Sequence, residues 1–481
     1  MWQLVLMING YFISVLGCAM LITAGYDMYT FGVTWSQFLN AAIFTLFIGV
    51  SLFLSNRTNI NTISMRQGYL LTATSWLSLS LLAAVPFMLC GVTKGFADAF
   101  FEAVSGLSGT GATVFADVES LPKPILLWRS ILNMTGGIGV VIFAAALLPF
   151  LGIGGMQIFQ RENSDVNDKF MPKFHYIAKR IIIVYATFLV GCILCLYMAG
   201  MSWFEAVNHG FSTVATAGFS TKNDSIAAFD SLKIEIIIIF FMLLSSLPMT
   251  FFVMLLQNKV RQSIRTIQVE AFLKTYALIV LIMTLWARIS GVYDSFFKAL
   301  RYAAFNVAAI ITTTGFSSAD YLSWGTFAVA AFALISLIGG CPGSTTGSIK
   351  IFRWQVITAF LKQSFVSAVE PKRVTPLKIK QFLIENSVVG SVLIFITLFF
   401  ITAAVLILLL SLCGVDVFTA YAAVLGCITN VGPSVAQSIG PKGNYGFFSP
   451  QVKYILAVAM LLGRLEILTL LVVFTRIFWR K

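Results

Sequence analysis

Charge is what this sequence has least of. Asp, Glu, Lys and Arg make up 11% of the 481 residues, where an ordinary soluble domain carries roughly 25%. Mean hydropathy is +0.91, so a soluble globular class is excluded. There are only two histidines. His175 and His209 have no carboxylate or cysteine at metal-ligand spacing. No P-loop, dinucleotide fingerprint, nucleophile elbow or zinc signature occurs, which argues against an enzyme, a bound organic cofactor or an ATP-driven pump. The seven cysteines lie mostly in apolar stretches, Cys192 and Cys195 within one of them. They read as buried small residues, not as a disulfide framework.

What is abundant is apolar sequence, 58% of the chain. Runs such as 181–198, 234–247 and 388–412 approach or exceed the length that crosses about 30 Å of hydrocarbon. They are continuous rather than alternating, which argues against a β-barrel. The expected fold is an all-α polytopic membrane protein. The run 4–24 has no basic residue before it and no small-residue cleavage site, and it reads as a retained helix. The net charge of +13 raises nucleic acid as a partner, but its distribution answers the question differently. An alternating topology with the N-terminus inside places 21 of the 32 Lys and Arg on the inner side and 12 of the 19 acids on the outer side. That is the positive-inside pattern. It predicts a multi-pass protein in contact with membrane lipid, with both termini cytoplasmic and no nucleic-acid partner.

Four glycine-centred strings recur along the chain. They are Ser108-Gly109-Thr110-Gly111-Ala112-Thr113, Val214-Ala215-Thr216-Ala217-Gly218-Phe219, Ile311-Thr312-Thr313-Thr314-Gly315-Phe316 and Ile428-Thr429-Asn430-Val431-Gly432-Pro433. Each follows a short amphipathic run, predicted as half-helices at 97–108, 203–214, 295–310 and 417–428. Long helices flank them at 68–90 and 124–150, 177–200 and 232–256, 271–291 and 325–362, and 383–413 and 451–478. Two further spans, 4–25 and 38–54, precede the four repeats. The predicted units are 1–60 (two N-terminal helices), 61–165, 166–265, 266–370 and 371–481, the last four being pseudo-symmetric helix–pore-loop–helix repeats around one pore.

A half-helix is too short to cross the bilayer, so it must enter and return. Non-helical backbone at that depth is tolerated only where protein buries it or water lines it. Asp98 and Glu102, Glu205, Asp294 and Asp416 lie near the outer ends, where carboxylates complement a helix N-terminus. The partly negative C-terminal ends then converge on the strings and favour a cation. Glycine lets consecutive carbonyls aim at one axis, and Thr110, Thr216, Thr313 and Asn430 can add oxygens or brace the loops. A carbonyl ring without carboxylates suits a large monovalent cation better than a divalent one. One such string alone reads as a helix break at a packing contact; four in register after four half-helices do not.

Two other features stand out. Gly339-Gly340-Cys341-Pro342-Gly343-Ser344-Thr345-Thr346-Gly347-Ser348 interrupts the apolar run 325–362 and cannot stay helical. It reads as an intramembrane gate loop on the inner side of the strings, with a plain kink as the alternative. Arg464, in Gly463-Arg464-Leu465-Glu466, is an intramembrane charge and so a functional residue by default. It reads as a fixed positive charge below the strings, with a role in bracing helices as the alternative. Glu466, two residues on, does not face it on a helix and reads as a packing or interhelical partner, with proton coupling left open.

These residues resemble the TrkH/TrkG subfamily of bacterial potassium-uptake proteins, within the Trk/Ktr/HKT superfamily. The marks are Phe101-Glu102-Ala103 leading to Thr110-Gly111-Ala112-Thr113-Val114, and Phe211-Ser212-Thr213 leading to Gly218-Phe219-Ser220-Thr221. They include the third and fourth strings, Leu148-Pro149-Phe150-Leu151-Gly152-Ile153-Gly154-Gly155-Met156-Gln157, and Gly463-Arg464-Leu465-Glu466 before Phe478-Trp479-Arg480. The two extra N-terminal spans favour TrkH over the eight-span KtrB type. The resemblance implies a potassium translocation subunit of the inner membrane. Potassium would be held by backbone carbonyls of Gly109, Thr110, Gly111, Thr216, Ala217, Gly218, Thr313, Thr314, Gly315, Asn430, Val431 and Gly432. Gating would fall to Gly340, Gly343, Ser344, Thr345, Thr346, Gly347 and Arg464. It also implies a homodimer seated on a cytosolic, nucleotide-binding TrkA-type subunit, with docking expected at the basic segment 350–380. A sodium-selective or sodium-coupled member of the superfamily, and a sensor that keeps the fold without transport, remain alternatives. Two departures occur. The loop carries Pro342 where the family has a more glycine- and alanine-rich run, which should stiffen it. Ser246-Leu247-Pro248-Met249 is also atypical, and the sequence alone offers no account of it.

Overall fold

The computed structural model describes residues 2–58, 64–151, 170–256, 267–373, 376–380 and 382–480. Outside them lie the expected unit boundaries at 60/61, 165/166 and 265/266, the 152–157 part of one family motif, the side chain of His175, and Arg161, Lys169, Lys259, Arg261 and Arg265, all expected on the inner side. Among the described residues seven helices are long and apolar enough to cross a membrane: Trp2–Tyr29, Trp35–Ser55, Met65–Leu89, Lys123–Ile142, Ala178–Met198, Gln268–Ile289 and Asn386–Leu412. The first two pack as an antiparallel hairpin. Asp27 closes their turn by accepting the backbone N–H and hydroxyl of Thr34, at 2.8 and 2.9 Å.

The four half-helices run Phe96–Ser108, Trp203–Val214, Phe296–Ile311 and Val417–Ile428, within a residue of the expected bounds. Their starts have local causes. Ser202 and Glu205 form a reciprocal capping box on the second. Asp416 caps the fourth by accepting the Thr419 N–H at 2.9 Å. Asp98 lies in the first turn of the first and pairs with Lys453 Nζ at 2.6 Å. Two of the expected carboxylates behave otherwise. Asp294 precedes the N-cap position, which Ser295 occupies without a side-chain capping bond. Glu102 is fully buried in the helix body, where it bonds the chain leaving the first string rather than the helix end. Neighbouring repeats follow one another round an axis. The first half-helix packs on Pro450–Arg464, the second on Lys123–Leu151 and the third on Leu232–Ser245.

Three of the expected closing helices are broken. The one expected at 232–256 stops at Ser245 and resumes at Met249 after a bend of 89°. Pro248 lacks the N–H a helix needs and restricts Leu247. The one expected at 451–478 turns by 110° between Pro450–Arg464 and Ile467–Val473, with Glu466 left-handed at φ 59°. The third is divided, as foreseen, into Thr326–Ile335 and Ile351–Val369. Its gap holds a two-residue parallel pairing of Ile338–Gly339 with Ile349–Lys350. Only the closing helix of the first repeat, Lys123–Leu151, runs unbroken.

The breaks answer one another. At Ser246 the chain leaves helix-end carbonyls that lipid cannot satisfy. The loop satisfies them. Cys341 N–H donates to the Ser246 carbonyl at 2.9 Å, Thr345 N–H to the Ser245 carbonyl at 3.3 Å, and Met249 N–H to the Gly343 carbonyl at 3.0 Å. The unusual Ser246-Leu247-Pro248-Met249 is therefore the seat of the intramembrane loop.

Candidate functional site: a four-string constriction and its inner closure

Each half-helix ends on a residue in the left-handed region, two positions before the central glycine. These are Gly109 (φ 67°), Thr216 (51°), Thr313 (55°) and Asn430 (56°). The strings thus share a backbone register that their side chains hide. For β-branched threonine this conformation is a genuine outlier, costing about 1–3 kcal/mol each, so the surroundings must enforce it.

The central glycines close a ring. A Cβ built on Gly111 would stand 2.6 Å from the Gly218 nitrogen, and one on Gly218 2.6 Å from the Thr314 carbonyl oxygen. On Gly315 it would stand 2.0 Å from the Val431 carbonyl oxygen, and on Gly432 2.4 Å from that of Thr110. String one therefore meets two, two meets three, three meets four and four returns to one. The sequence predicts four strings in one ring, and they lie together here in cyclic order. The ring is not uniform: Gly111, Gly315 and Gly432 have positive φ and Gly218 does not.

The polar side chains in the strings brace them. Asn430 Nδ2 donates to Thr110 Oγ1 at 3.0 Å and to the Met460 carbonyl at 2.9 Å. Thr110 and Ser108 hydroxyls pair at 2.6 Å, and those of Thr314 and Thr312 at 2.7 Å. On the outer side, that of the half-helix N-termini, Arg129 ties strings one and two. It binds Glu102 Oε1 through Nε at 2.8 Å, donates from Nη1 to the Ser220 carbonyl at 3.2 Å, and lies 4.0 Å from the Phe219 ring centre.

On the inner side the loop and Arg464 together cover the left-handed residues of all four strings. Gly347 N–H donates to Thr313 Oγ1 at 2.7 Å. Thr216 Oγ1 donates to Thr345 Oγ1 at 3.1 Å. Gly347 also lies so close to string four that a Cβ on it would stand 2.8 Å from the Thr429 carbonyl oxygen and 2.9 Å from Asn430 Cβ. String one is met by Arg464, whose Nη2 would lie 3.2 Å from a Cβ on Gly109. Gly340, Gly343, Ser344, Thr345, Thr346 and Gly347 are all buried. Ser344 holds the loop's turn, its hydroxyl donating to the Cys341 carbonyl at 2.6 Å, and Lys350 Nζ donates to the Thr346 carbonyl.

Arg464 is 5% exposed, and none of its guanidinium nitrogens has a hydrogen-bond partner among the described residues. Glu466, by contrast, is an interhelical partner: Arg353 Nη2 stands 2.8 Å from its Oε2, and the same guanidinium lies 3.6 Å from the Phe395 ring centre. Arg353 was not singled out in the sequence, because only the 110° turn brings Glu466 to it. Arg353 is buried and Glu466 is 13% exposed, so removing one partner strands the other at up to about 3–5 kcal/mol, the range for buried pairs. Arg353→Met should therefore lower the thermal midpoint of the detergent-solubilised protein sharply, and Arg353→Met with Glu466→Leu should recover most of it. A single variant as stable as the parent would show the pair to be dispensable.

Comparison with known proteins places this geometry. A family model described as "TrkH: Cation transport protein" matches residues 35–480. The chain is 36% identical over 416 residues to the Trk system potassium uptake protein TrkI of Halomonas elongata, covering 86% of this chain and 84% of that one. It is 34% identical over 440 residues to the Trk system potassium uptake protein TrkH of Escherichia coli strain K12, covering 91% and 90%. The crystal structure of the potassium transporter TrkH from Vibrio parahaemolyticus matches with a TM-score of 0.92 at 30% identity, over 100% of both chains. Four strings in a ring, closed beneath by a broken-helix loop and a buried arginine, are carried by a chain that belongs to the TrkH family of cation transport proteins.

Proposed function

We propose that this protein carries potassium across the bacterial inner membrane through the ring of four strings. The closed cyclic contact of Gly111, Gly218, Gly315 and Gly432 carries the reading, since it leaves backbone as the lining of the constriction. Potassium is the substrate, taken from its water by carbonyls of Gly109-Thr110-Gly111, Thr216-Ala217-Gly218, Thr313-Thr314-Gly315 and Asn430-Val431-Gly432. The relatives' names, Trk system potassium uptake proteins, support potassium. The units 61–165, 166–265, 266–370 and 371–481 are one wall each, after the N-terminal pair in 1–60. Expression in a host lacking potassium uptake should restore growth at low potassium; a membrane-inserted protein that restores none overturns the proposal.

Gating belongs to the loop 339–348 with Arg464. The contacts of Thr345 and Gly347 with Thr216 and Thr313 support this. The partners in this reading are membrane lipid, a second copy of the chain and a cytosolic nucleotide-binding TrkA-type subunit. Both termini are cytoplasmic, on the basic side. Arg464 acts as a barrier to cations. Two unit charges about 4 Å apart interact by about 4 kcal/mol at an effective dielectric of about 20. Relief of a third of that raises flux about tenfold. Arg464→Ala should therefore increase rubidium flux into liposomes by roughly that factor, and unchanged flux would return the residue to a structural role.

A further inference from the structure

Aligned on their central glycines, the half-helices carry Glu102, His209, Asn306 and Ala423 at one position, nine residues ahead of the glycine. The first three are polar and fully buried, so each must be hydrogen-bonded or destabilise the fold. Each bonds to the chain just leaving its own string. Glu102 accepts from the Thr113 hydroxyl at 3.0 Å and from the Val114 N–H at 2.9 Å. His209 Nδ1 lies 2.8 Å from the Glu205 carbonyl. A carbonyl can only accept, so Nδ1 carries the proton, and Nε2 accepts from the Ser220 hydroxyl at 2.9 Å. Asn306 Nδ2 donates to the Ser318 hydroxyl at 3.3 Å, and its Oδ1 accepts the Ser318 N–H at 3.4 Å.

The fourth repeat lacks this bond. Ala423 has nothing to offer, and the Ser434 hydroxyl turns to the Ala422 carbonyl at 2.6 Å. Another group fills the role: the Tyr445 hydroxyl donates to the carbonyl of Gly432 itself at 2.8 Å. That carbonyl lies against the half-helix, 2.6 Å from a Cβ built on Gly426.

We propose that Glu102, His209 and Asn306 are positioning residues of the ion-selective ring, and that Tyr445 takes their place in the fourth repeat. The proposal rests on reading the strings as a cation filter. A central glycine has no side chain to fix it, so its carbonyl is placed by what holds the chain on either side. The inner anchor is the left-handed end of the half-helix. The outer anchor is this bond, made to the second or third residue beyond the glycine. Its length sets how far each carbonyl stands from the axis, and hence which cation replaces its water there most favourably. Three anchors of different length and chemistry, with a fourth that holds the Gly432 carbonyl toward the half-helix, make the ring unequal by construction.

The test is the ratio of potassium to sodium permeability of the purified full-length protein in liposomes, from reversal potentials. His209→Leu keeps the volume and removes the bond; His209→Asn installs the group that the third repeat uses. Loss of one buried hydrogen bond changes a carbonyl's placement energy enough to shift the ratio by up to about tenfold. The expected result is a ratio lowered severalfold in His209→Leu and largely recovered in His209→Asn. Ser220→Ala removes the same bond from its other side, together with the Lys222 N–H bond to that hydroxyl, leaves the half-helix untouched, and should lower the ratio at least as much; it decides the matter if His209→Leu fails to fold. Combined, the two should do no more than Ser220→Ala alone. An unchanged ratio in Ser220→Ala or in folded His209→Leu overturns the proposal. A wild-type protein that does not prefer potassium overturns the filter reading instead, so the two failures are distinguishable.

Discussion

Replacing Gly315 with Ser should abolish growth rescue at low potassium while leaving the protein in the membrane. Two independent costs meet at this position. Its backbone is left-handed, with φ 80°, a conformation that L side chains adopt at about 1–2 kcal/mol. A Cβ there would also stand 2.0 Å from the Val431 carbonyl oxygen and 3.0 Å from Pro433 Cδ. The first obstacle is backbone of the adjacent string, which cannot swing aside as a flexible side chain would. String four must move, and with it the Val431 carbonyl. Gly218 provides an internal control. Its Cβ would meet the Thr314 carbonyl oxygen at 2.6 Å, but its φ is not positive, so Gly218→Ala should reduce rescue less than Gly315→Ala. Normal rescue by a membrane-inserted Gly315→Ser protein would mean that the ring does not lie on the ion path.

The second large effect is expected at the intramembrane loop. Shortening 343–348 removes the Gly347–Thr313 and Thr345–Thr216 bonds and takes backbone away from beneath string four. The inner end of the constriction is then uncovered except at Arg464. Mean open time in single-channel recordings should lengthen by an order of magnitude or more, about 1.4 kcal/mol for each tenfold step. Ion preference should change far less than open time, because the central-glycine ring lies beyond the residues the loop touches and its outer anchors stay in place. Loss of preference without a change in open time would assign the loop to the filter. Pro342 bears on the same motion. The sequence suggests stiffness, and the fold anchors the loop beside it through Cys341 and Gly343 to the broken helix of the second repeat. Thr345 is anchored to the same helix through its N–H to the Ser245 carbonyl, so movement is concentrated in the segment after Thr345.

Much of this was legible in the residues. The half-helices carry amphipathic faces and acidic residues near their outer ends such as Glu205 and Asp416, and their bounds come within a residue. The glycine strings, the interrupting loop and the intramembrane Arg464 each violate a rule that holds for lipid-embedded chains, and so could be seen without a structure. What was not legible depends on partners distant in sequence. Glu466 was assessed by its helical spacing from Arg464, but the chain turns by 110° there and the carboxylate meets Arg353. Thr216 and Thr313 gave no hint of a left-handed backbone, since threonine disfavours it. Their strain is held in part by loop residues more than a hundred and more than thirty positions away. The break after Ser245 has a local cause in Pro248, but the carbonyls it frees find their partners only in the loop, about a hundred residues away. The polar position shared by Glu102, His209 and Asn306 was present in the sequence throughout. It becomes visible when the half-helices are aligned on the glycines rather than on their acidic outer ends.

Ion flux through the purified protein in liposomes, compared across potassium, rubidium, sodium and lithium with and without a pH gradient, bears most directly on the ring of backbone as an ion filter. Potassium and rubidium should pass, with sodium and lithium slower by at least about tenfold, a difference of about 1.4 kcal/mol. Equal passage of sodium and potassium would contradict it.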